Sequence, residues 1–145
     1  MGQKDLAQKL LEDHPDVFAD IFNVLLFQGE QIIHADELEK TANESQYKAD
    51  TNNLHEERRD LLKLWTKGKN KALLGIENQM DADEHMPIRI IGYDGVSYRS
   101  QLLKGWKGNH CPVITLVLYY GDKSWNQPSA LAEELPEIEI PHGSD

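Results

Sequence analysis

The sequence of 145 residues has little of three things: cysteine, long apolar runs and basic residues. Its single cysteine, Cys111, excludes an internal disulfide bond and a zinc site built on several cysteines. No apolar run approaches the roughly 20 residues of a membrane-spanning helix. The first residues also lack the apolar core of a signal peptide. These absences predict a cytoplasmic protein with no membrane partner.

Basic residues are outnumbered, with 15 Lys and Arg against 25 Asp and Glu, which gives a net charge of −10. Such a charge argues against binding to nucleic acid. The distribution is uneven, however, because residues 58–107 carry +4 and the rest of the chain carries −14. A solvated surface of mixed sign is the simpler explanation. Charge therefore leaves nucleic-acid binding open.

Apolar residues at helical spacing predict two N-terminal helices, over residues 4–11 and 17–25, with Pro15 in the first turn of the second. Residues 34–56 are polar and acidic, which predicts mostly loop with a short helix at 36–40. A longer helix is predicted to begin at the acidic run at Asp81 and to end near residue 106, and a short one at 129–135.

The segments "RRDLLKLW" (58–65) and "KALLGIENQ" (71–79) flank the turn formers Gly68 and Asn70, which predicts a β-hairpin. The apolar run 112–122 predicts a central strand covered on both faces, preceded by Cys111 as a small core residue. A helix joining the hairpin to this strand makes the pair parallel. We therefore expect one α/β (α+β) domain over residues 1–135, with a mixed sheet, and a disordered acidic tail at 136–145.

Polar side chains cluster at the end of the hairpin. Glu77 and Gln79 are two residues apart on one strand, so they point the same way, and Asp60 opens the neighbouring strand. Burying a carboxylate is costly unless it has a partner. Mg²⁺ or Mn²⁺, which bind carboxylate oxygens, would be such a partner. A solvent-exposed strand end is the simpler alternative.

Several segments occur in an order that resembles a known family: "DVFADIFNVLLFQGEQII", "ERRDLLKLW", "ALLGIENQ", "MPIRIIGYDGVSYRSQL" and "CPVITLVLYYGDKSWNQPSAL". Over about residues 6–131, the chain is similar to the bacterial recombination-promoting nuclease and putative transposase family, a branch of the PD-(D/E)XK nucleases. The resemblance implies a restriction-endonuclease-like core of order α-β-β-β-α-β. It also implies an association with DNA recombination or mobile elements.

The resemblance further implies metal-dependent hydrolysis of DNA phosphodiester bonds. In that reading Asp60, Glu77 and the peptide carbonyl of Asn78 hold Mg²⁺ or Mn²⁺, and Gln79 orients the attacking water or the scissile phosphate. Arg89 and Tyr93, one helical turn apart, match an Arg-x-x-x-Tyr of the family and would contact phosphate. The alternative is an arginine at the sheet edge and a tyrosine partly in the core.

DNA is thus the expected partner, and a homodimer is a second candidate. Asn23 is expected at the surface or rim of its helix, although this fold can bring a polar group from that helix to the metal. The acidic ends of the chain favour a rival function, a catalytically inactive nuclease-like module that binds nucleic acid or a protein. Family members usually continue with a mainly helical region beyond "LPEIEIPHGSD", and its absence favours the same rival.

Overall fold

A computed structural model describes residues 3–41, 61–103 and 110–135 of the chain. Within them the helices are α1 (Gln3–Asp13), α2 (Pro15–Phe27), α3 (Met86–Leu103) and α4 (Leu131–Glu134), with a 3₁₀ turn at Ala35–Glu37. The strands are β1 (Leu38–Lys40), β2 (Leu61–Lys67), β3 (Asn70–Gln79) and β4 (Val113–Tyr119). Over the described residues the fold is therefore mixed α+β, as predicted.

The two N-terminal helices form where their apolar periodicity predicts them. Pro15 occupies the first turn of α2, where its missing N–H costs no helical hydrogen bond. At the other end, Gln28 and Gly29 have φ values of 55° and 91°, and the N–H of Gly29 donates to the carbonyl of Asn23 at 2.9 Å. This left-handed turn ends the helix.

The predicted hairpin is confirmed. β2 and β3 pair antiparallel from Leu61 opposite Ile76 to Lys67 opposite Asn70, and Gly68 takes a φ of 63° in the turn. The residue pattern did not predict a third strand, β1, although the family resemblance implies three strands before the long helix. Residues 38–40, assigned from the sequence to a short helix, pair antiparallel with β2 instead. The helix prediction is wrong there because the open edge of β2 supplies backbone partners that local periodicity cannot reveal.

β3 pairs parallel with β4, as expected for strands joined by a helix. Among the described residues the sheet has the order β1-β2-β3-β4, so β4 is an edge strand rather than a central one. The prediction of a strand covered on both faces is also wrong, because all seven of its residues are partly exposed. Ile114, Leu116 and Leu118 pack against the core beneath α2, whereas Thr115, on the opposite face, donates a hydrogen bond to Asp94 of α3.

The main core lies between the sheet and α2. Phe18, Phe22 and Ile76 are fully buried there, and the two phenylalanine rings lie 5.0 Å apart between centroids. Lys63 is also buried on this face. Its ammonium group donates to Asp13 Oδ1 at 3.0 Å and lies 5.4 Å from the Phe18 ring centroid, so the charge is compensated.

α3 covers the opposite face of β3 and begins at Met86, five residues later than predicted. Asp83 explains the difference, because its Oδ1 accepts a hydrogen bond from the His85 N–H at 2.8 Å and so holds a turn ahead of the helix. None of the described helices has the length and apolar character needed to cross a membrane. The tail predicted to be disordered, 136–145, lies outside the described residues.

Candidate active site

The site lies at the carboxyl end of β3, beneath the first turns of α3. Glu77 is 4% exposed, and its Oε1 accepts a hydrogen bond from Gln79 Nε2 at 2.8 Å. The two side chains therefore project from the same face of the strand, as the two-residue alternation predicts. The alternative of a solvent-exposed strand end does not apply to Glu77, because its side chain is buried under α3.

Arg89, from the first turns of α3, supplies positive charge to this carboxylate. Its Nη2 lies 3.7 Å from Glu77 Oε1. The same guanidinium pairs through Nη1 with Asp83 Oδ2. Arg89 thus bridges two carboxylates, one buried and one at the rim. About a third of its side chain (31%) stays exposed, so the guanidinium can still be reached from solvent.

Tyr93, one helical turn after Arg89, contacts the guanidinium group of Arg89. Tyr93 is only 1% exposed, and its Oη accepts a hydrogen bond from Arg89 Nη2 at 2.9 Å. Arg89 and Tyr93 therefore share one face of α3, as their spacing predicts, and the phosphate contact expected of them stays a prediction. The hydroxyl of Tyr93 faces a protein group rather than solvent, so this side chain orients the arginine.

Asp83 was not singled out from the sequence as a site residue. Burial acts to raise the pKa of Asp83, but hydrogen bonds from the His85 N–H and the Arg89 guanidinium outweigh it and bring the pKa below its ordinary value. The carboxylate is therefore firmly ionised. The acidic run 81–84 indicated a helix start, but no local pattern connects Asp83 to Arg89 across the turn.

Asn78 lies between the two site residues on β3, and its side chain points to the other face of the sheet. Its Nδ2 donates to Oε1 of Glu12 on α1 at 2.6 Å. The role predicted for Asn78 is that of its peptide carbonyl, and the side-chain contact does not test it. Asp60, the other predicted metal ligand, lies outside the described residues.

Glu12 anchors a polar cluster that sequence reasoning missed. It is 2% exposed and also accepts hydrogen bonds from Tyr120 Oη at 3.0 Å and from Gln8 Nε2 at 3.4 Å. Burial, and then the hydrogen bond to Glu12, raise the pKa of Tyr120. The only local signal was the i, i+4 spacing of Gln8 and Glu12. The cluster fixes α1 to the ends of β3 and β4.

Asn23 has a structural position. It is fully buried, and its Oδ1 accepts from the Ile33 N–H at 2.8 Å while its Nδ2 donates to the Ile33 carbonyl at 2.8 Å. The expectation of a surface or rim position is wrong, because the chain after α2 folds back over this amide. Both its donor and its acceptor are thereby used by backbone groups.

An open polar pocket of about 510 Å³ adjoins Gln79. Its other lining residues are Asp81, Ala82, Asp83, Glu84, His85 and Gln127. Three of these are acidic, so a phosphate group entering from this side would meet negative charge. The pocket therefore needs added positive charge before it can accept a polyanion.

The described residues do not make a complete metal centre by themselves. Across residues 3–41, 61–103 and 110–135, no group of three or more His, Cys, Asp or Glu side chains is placed to hold a metal ion. The oxygen atoms present nevertheless suit a hard cation. Glu77 is a buried carboxylate, and its hydrogen-bond partner Gln79 lines an open acidic pocket.

A family comparison now adds to this geometry. The model of a family described as "Putative transposase, YhgA-like" matches residues 5–142. The chain belongs to the YhgA-like putative transposase family. No curated protein and no solved structure gives a significant match to the chain.

Membership of the YhgA-like family confirms the resemblance to putative transposases and points to an association with mobile elements. It also agrees with a protein that interacts with DNA. The assignment of this family to the PD-(D/E)XK nucleases, the restriction-endonuclease-like core and the roles given to individual residues stay predictions, and they are taken up as proposals below.

Proposed function

We propose that this chain is a Mg²⁺- or Mn²⁺-dependent DNA endonuclease with a PD-(D/E)XK core. The observation that carries the proposal is the buried Glu77 carboxylate, hydrogen-bonded to Gln79 and 3.7 Å from Arg89, at the open end of a parallel strand pair. A buried carboxylate at a cleft, with a charged partner and an adjacent amide, is typical of a catalytic site. Membership of the transposase-like family supports DNA as the substrate.

Asp60, Glu77 and the peptide carbonyl of Asn78 would hold the cation. Support for Asp60 comes from strand register, because Leu61 pairs with Ile76 in the antiparallel hairpin. In the sequence Asp60 directly precedes Leu61, as Glu77 directly follows Ile76, so the two carboxylates flank the same cross-strand pair. When bound, the cation would supply Lewis-acid polarisation of the phosphodiester and positive charge next to the acidic pocket.

Side chains of the described residues would position the water or phosphate and supply further positive charge. Gln79, fixed by its hydrogen bond to Glu77, presents an amide dipole that can orient the attacking water or the scissile phosphate. A lysine at this position would bring a full positive charge, which Gln79 lacks. Arg89, held by Tyr93, is the charge that can offset this deficit. To contact phosphate it would exchange its pairing with Asp83 for one with the substrate.

A plasmid-cleavage assay tests the proposal. We expect nicking by the purified chain with Mg²⁺ or Mn²⁺, none with EDTA, and a loss of at least about 100-fold in Asp60→Ala and in Glu77→Gln. Glu39→Gln is the matched control, because Glu39 is an exposed carboxylate on β1. Cleavage that survives Glu77→Gln would contradict the proposed site. An RNA substrate assayed in parallel would define the nucleic acid.

A second candidate is an inactive nuclease-like module that binds nucleic acid or a protein partner. Its specific support is that Arg89 already pairs with two carboxylates and that the adjacent pocket is acidic. Calorimetric titration with Mn²⁺ separates the two candidates. An active site should bind Mn²⁺ and lose that binding in Glu77→Gln, whereas an inactive module should bind it weakly in both proteins.

A further inference from the structure

The solvent-facing side of α3 is apolar. Its exposed positions are Ile88, Ile91, Gly95, Tyr98, Arg99, Leu102 and Leu103. Over the whole of this helix, every residue of which the structure describes, one exposed residue is charged and none is acidic. A surface helix normally presents polar residues to water and apolar residues to the core. The outer side of α3 is therefore suited to a contact with another surface.

The spacing of this side is that of a helix-packing seam. Ile88, Ile91, Gly95, Tyr98 and Leu102 are separated by three, four, three and four residues, the a and d spacing of a heptad. At a rise of about 1.5 Å per residue the stripe extends about 21 Å along the helix. We call these five residues the α3 stripe.

Gly95 lies at the middle of the α3 stripe. A Cβ atom built there would meet nothing within 4 Å, and the backbone does not adopt the positive φ that favours glycine. Nothing within the described chain therefore requires glycine at this position, although glycine weakens a helix relative to alanine. Close approach of another helix backbone is a physical reason to have it there.

We propose that the α3 stripe packs against the α3 stripe of a second copy of this chain, with the two helices crossing antiparallel at Gly95. The stripe is nearly symmetric about this glycine. An antiparallel crossing brings Ile88 opposite Leu102 of the second copy and Ile91 opposite its Tyr98. Such a contact is self-complementary, as a two-fold dimer interface requires.

Charge supports a second copy at this surface rather than at others. With a net charge of −10, two copies repel each other overall, and a contact surface without acidic groups adds the least to this repulsion. The exposed side of α3 meets this condition. The exposed apolar residues of α2 do not, because Val24 shares its outer face with Asp20 and Asp16, one and two helical turns away.

The α3 stripe is continuous with the edge of the sheet. Ile91 also lines a cavity of about 460 Å³ whose walls include Val117 and Trp125. Tyr98 reaches the first residue of β4, where its Oη accepts a hydrogen bond from the Val113 N–H at 3.0 Å. A second copy seated on the stripe would cover apolar surface on α3 and beside the cavity together, which makes the interface larger than one helix face.

The mass of the full chain in solution tests the dimer. Light scattering after size exclusion should give about twice 16.6 kDa at high concentration and fall towards 16.6 kDa on dilution. Ile91→Lys should remain at 16.6 kDa. Val24→Lys is the matched control, because Val24 and Ile91 are 53% and 52% exposed on different helices, and it should dimerise like the wild type.

Gly95→Ala tests the crossing point without risk to the helix, because alanine favours helix. The dimer dissociation constant should rise at least tenfold, with an unchanged circular dichroism spectrum. A wild-type chain that stays at 16.6 kDa up to about 1 mM would overturn the proposal and leave the face to a different protein. So would a dimer that Val24→Lys dissociates and Ile91→Lys does not, since the interface would then lie on α2.

Discussion

The two faces of the sheet differ in how completely they are packed. On the α2 face, Phe18, Phe22 and Ile76 are fully buried, and the buried polar groups Asn23 and Lys63 have hydrogen-bond or charge partners. On the α3 face the contacts are more polar, and more space is left between the helix and the sheet. There α3 covers Glu77 and turns its own Tyr93 inward, but it leaves an apolar cavity and an exposed apolar stripe.

The two faces of the sheet therefore differ in what they contribute to stability and to function. The α2 face should contribute the larger share of the stability, because the main cluster of buried apolar residues lies there and apolar burial is the largest favourable term in folding. The α3 face accepts a buried carboxylate and open space, both of which cost stability, and it holds the candidate active site. Substitutions on the α2 face should therefore mainly lower the free energy of unfolding, and substitutions on the α3 face should mainly lower activity.

The largest expected effect on stability is that of Phe22→Ala. Truncating this fully buried ring should lower the free energy of unfolding by about 3–5 kcal/mol, because it leaves a cavity in the core. Ile90→Ala on α3, where the side chain already borders a cavity, should cost much less. Urea denaturation measures both. Equal losses would show that the two faces are packed alike.

Asn23→Ala should cost about 2–3 kcal/mol, because the backbone N–H and carbonyl of Ile33 would lose a buried partner. Gln31→Ala is a suitable control, since Gln31 makes one long, exposed hydrogen bond to the Gly29 carbonyl at 3.4 Å. The control should change stability by no more than about 0.5 kcal/mol. A similar loss in both variants would contradict a structural role for Asn23.

Glu77→Gln should separate activity from stability on the α3 face. The free energy of unfolding should change by less than about 1 kcal/mol, because a neutral amide of similar shape avoids the cost of burying a charge. Arg89 keeps its contact with Asp83 in this variant. Chemical denaturation alongside the cleavage assay provides the measurement. A large loss of stability would mean that Glu77 is a structural residue.

The smallest expected effect is a pH dependence at His85. Its Nδ1 lies 2.9 Å from Glu134 Oε1, and this hydrogen bond raises the pKa of His85 above its ordinary value of 6.5. The resulting stabilisation is fully present below pH 6.5 and is lost as the pH rises through the raised pKa. The melting temperatures of wild type and His85→Gln should therefore differ at about pH 5.5 and converge at about pH 8.5. A constant difference would exclude this contact as the cause.

Periodicity predicted the parts of the fold that depend on neighbours in the chain. The hairpin, the two N-terminal helices and the shared direction of Glu77 and Gln79 follow from repeats of 3.6 and 2 residues. The shared helix face of Arg89 and Tyr93 followed from one helical turn in the same way. These features needed no knowledge of distant segments.

Contacts between distant segments could not be predicted in this way. Asn78 meets Glu12 across 66 residues of sequence, and β1 pairs with β2 although the sequence predicts helix there. The position of β4 at the edge of the described sheet also depends on which strands lie beside it. In each case the deciding partner belongs to another element.

The sequence by itself therefore determined the type and order of most elements, the pairing of the hairpin and which side chains share a strand or helix face. Only the tertiary structure decided that Glu77 is buried, that Arg89 joins it to Asp83, and that the outer side of α3 has no cover within the described chain. The reason is physical. Local periodicity fixes the direction of a side chain relative to its own element, whereas burial and charge pairing depend on what packs against that element.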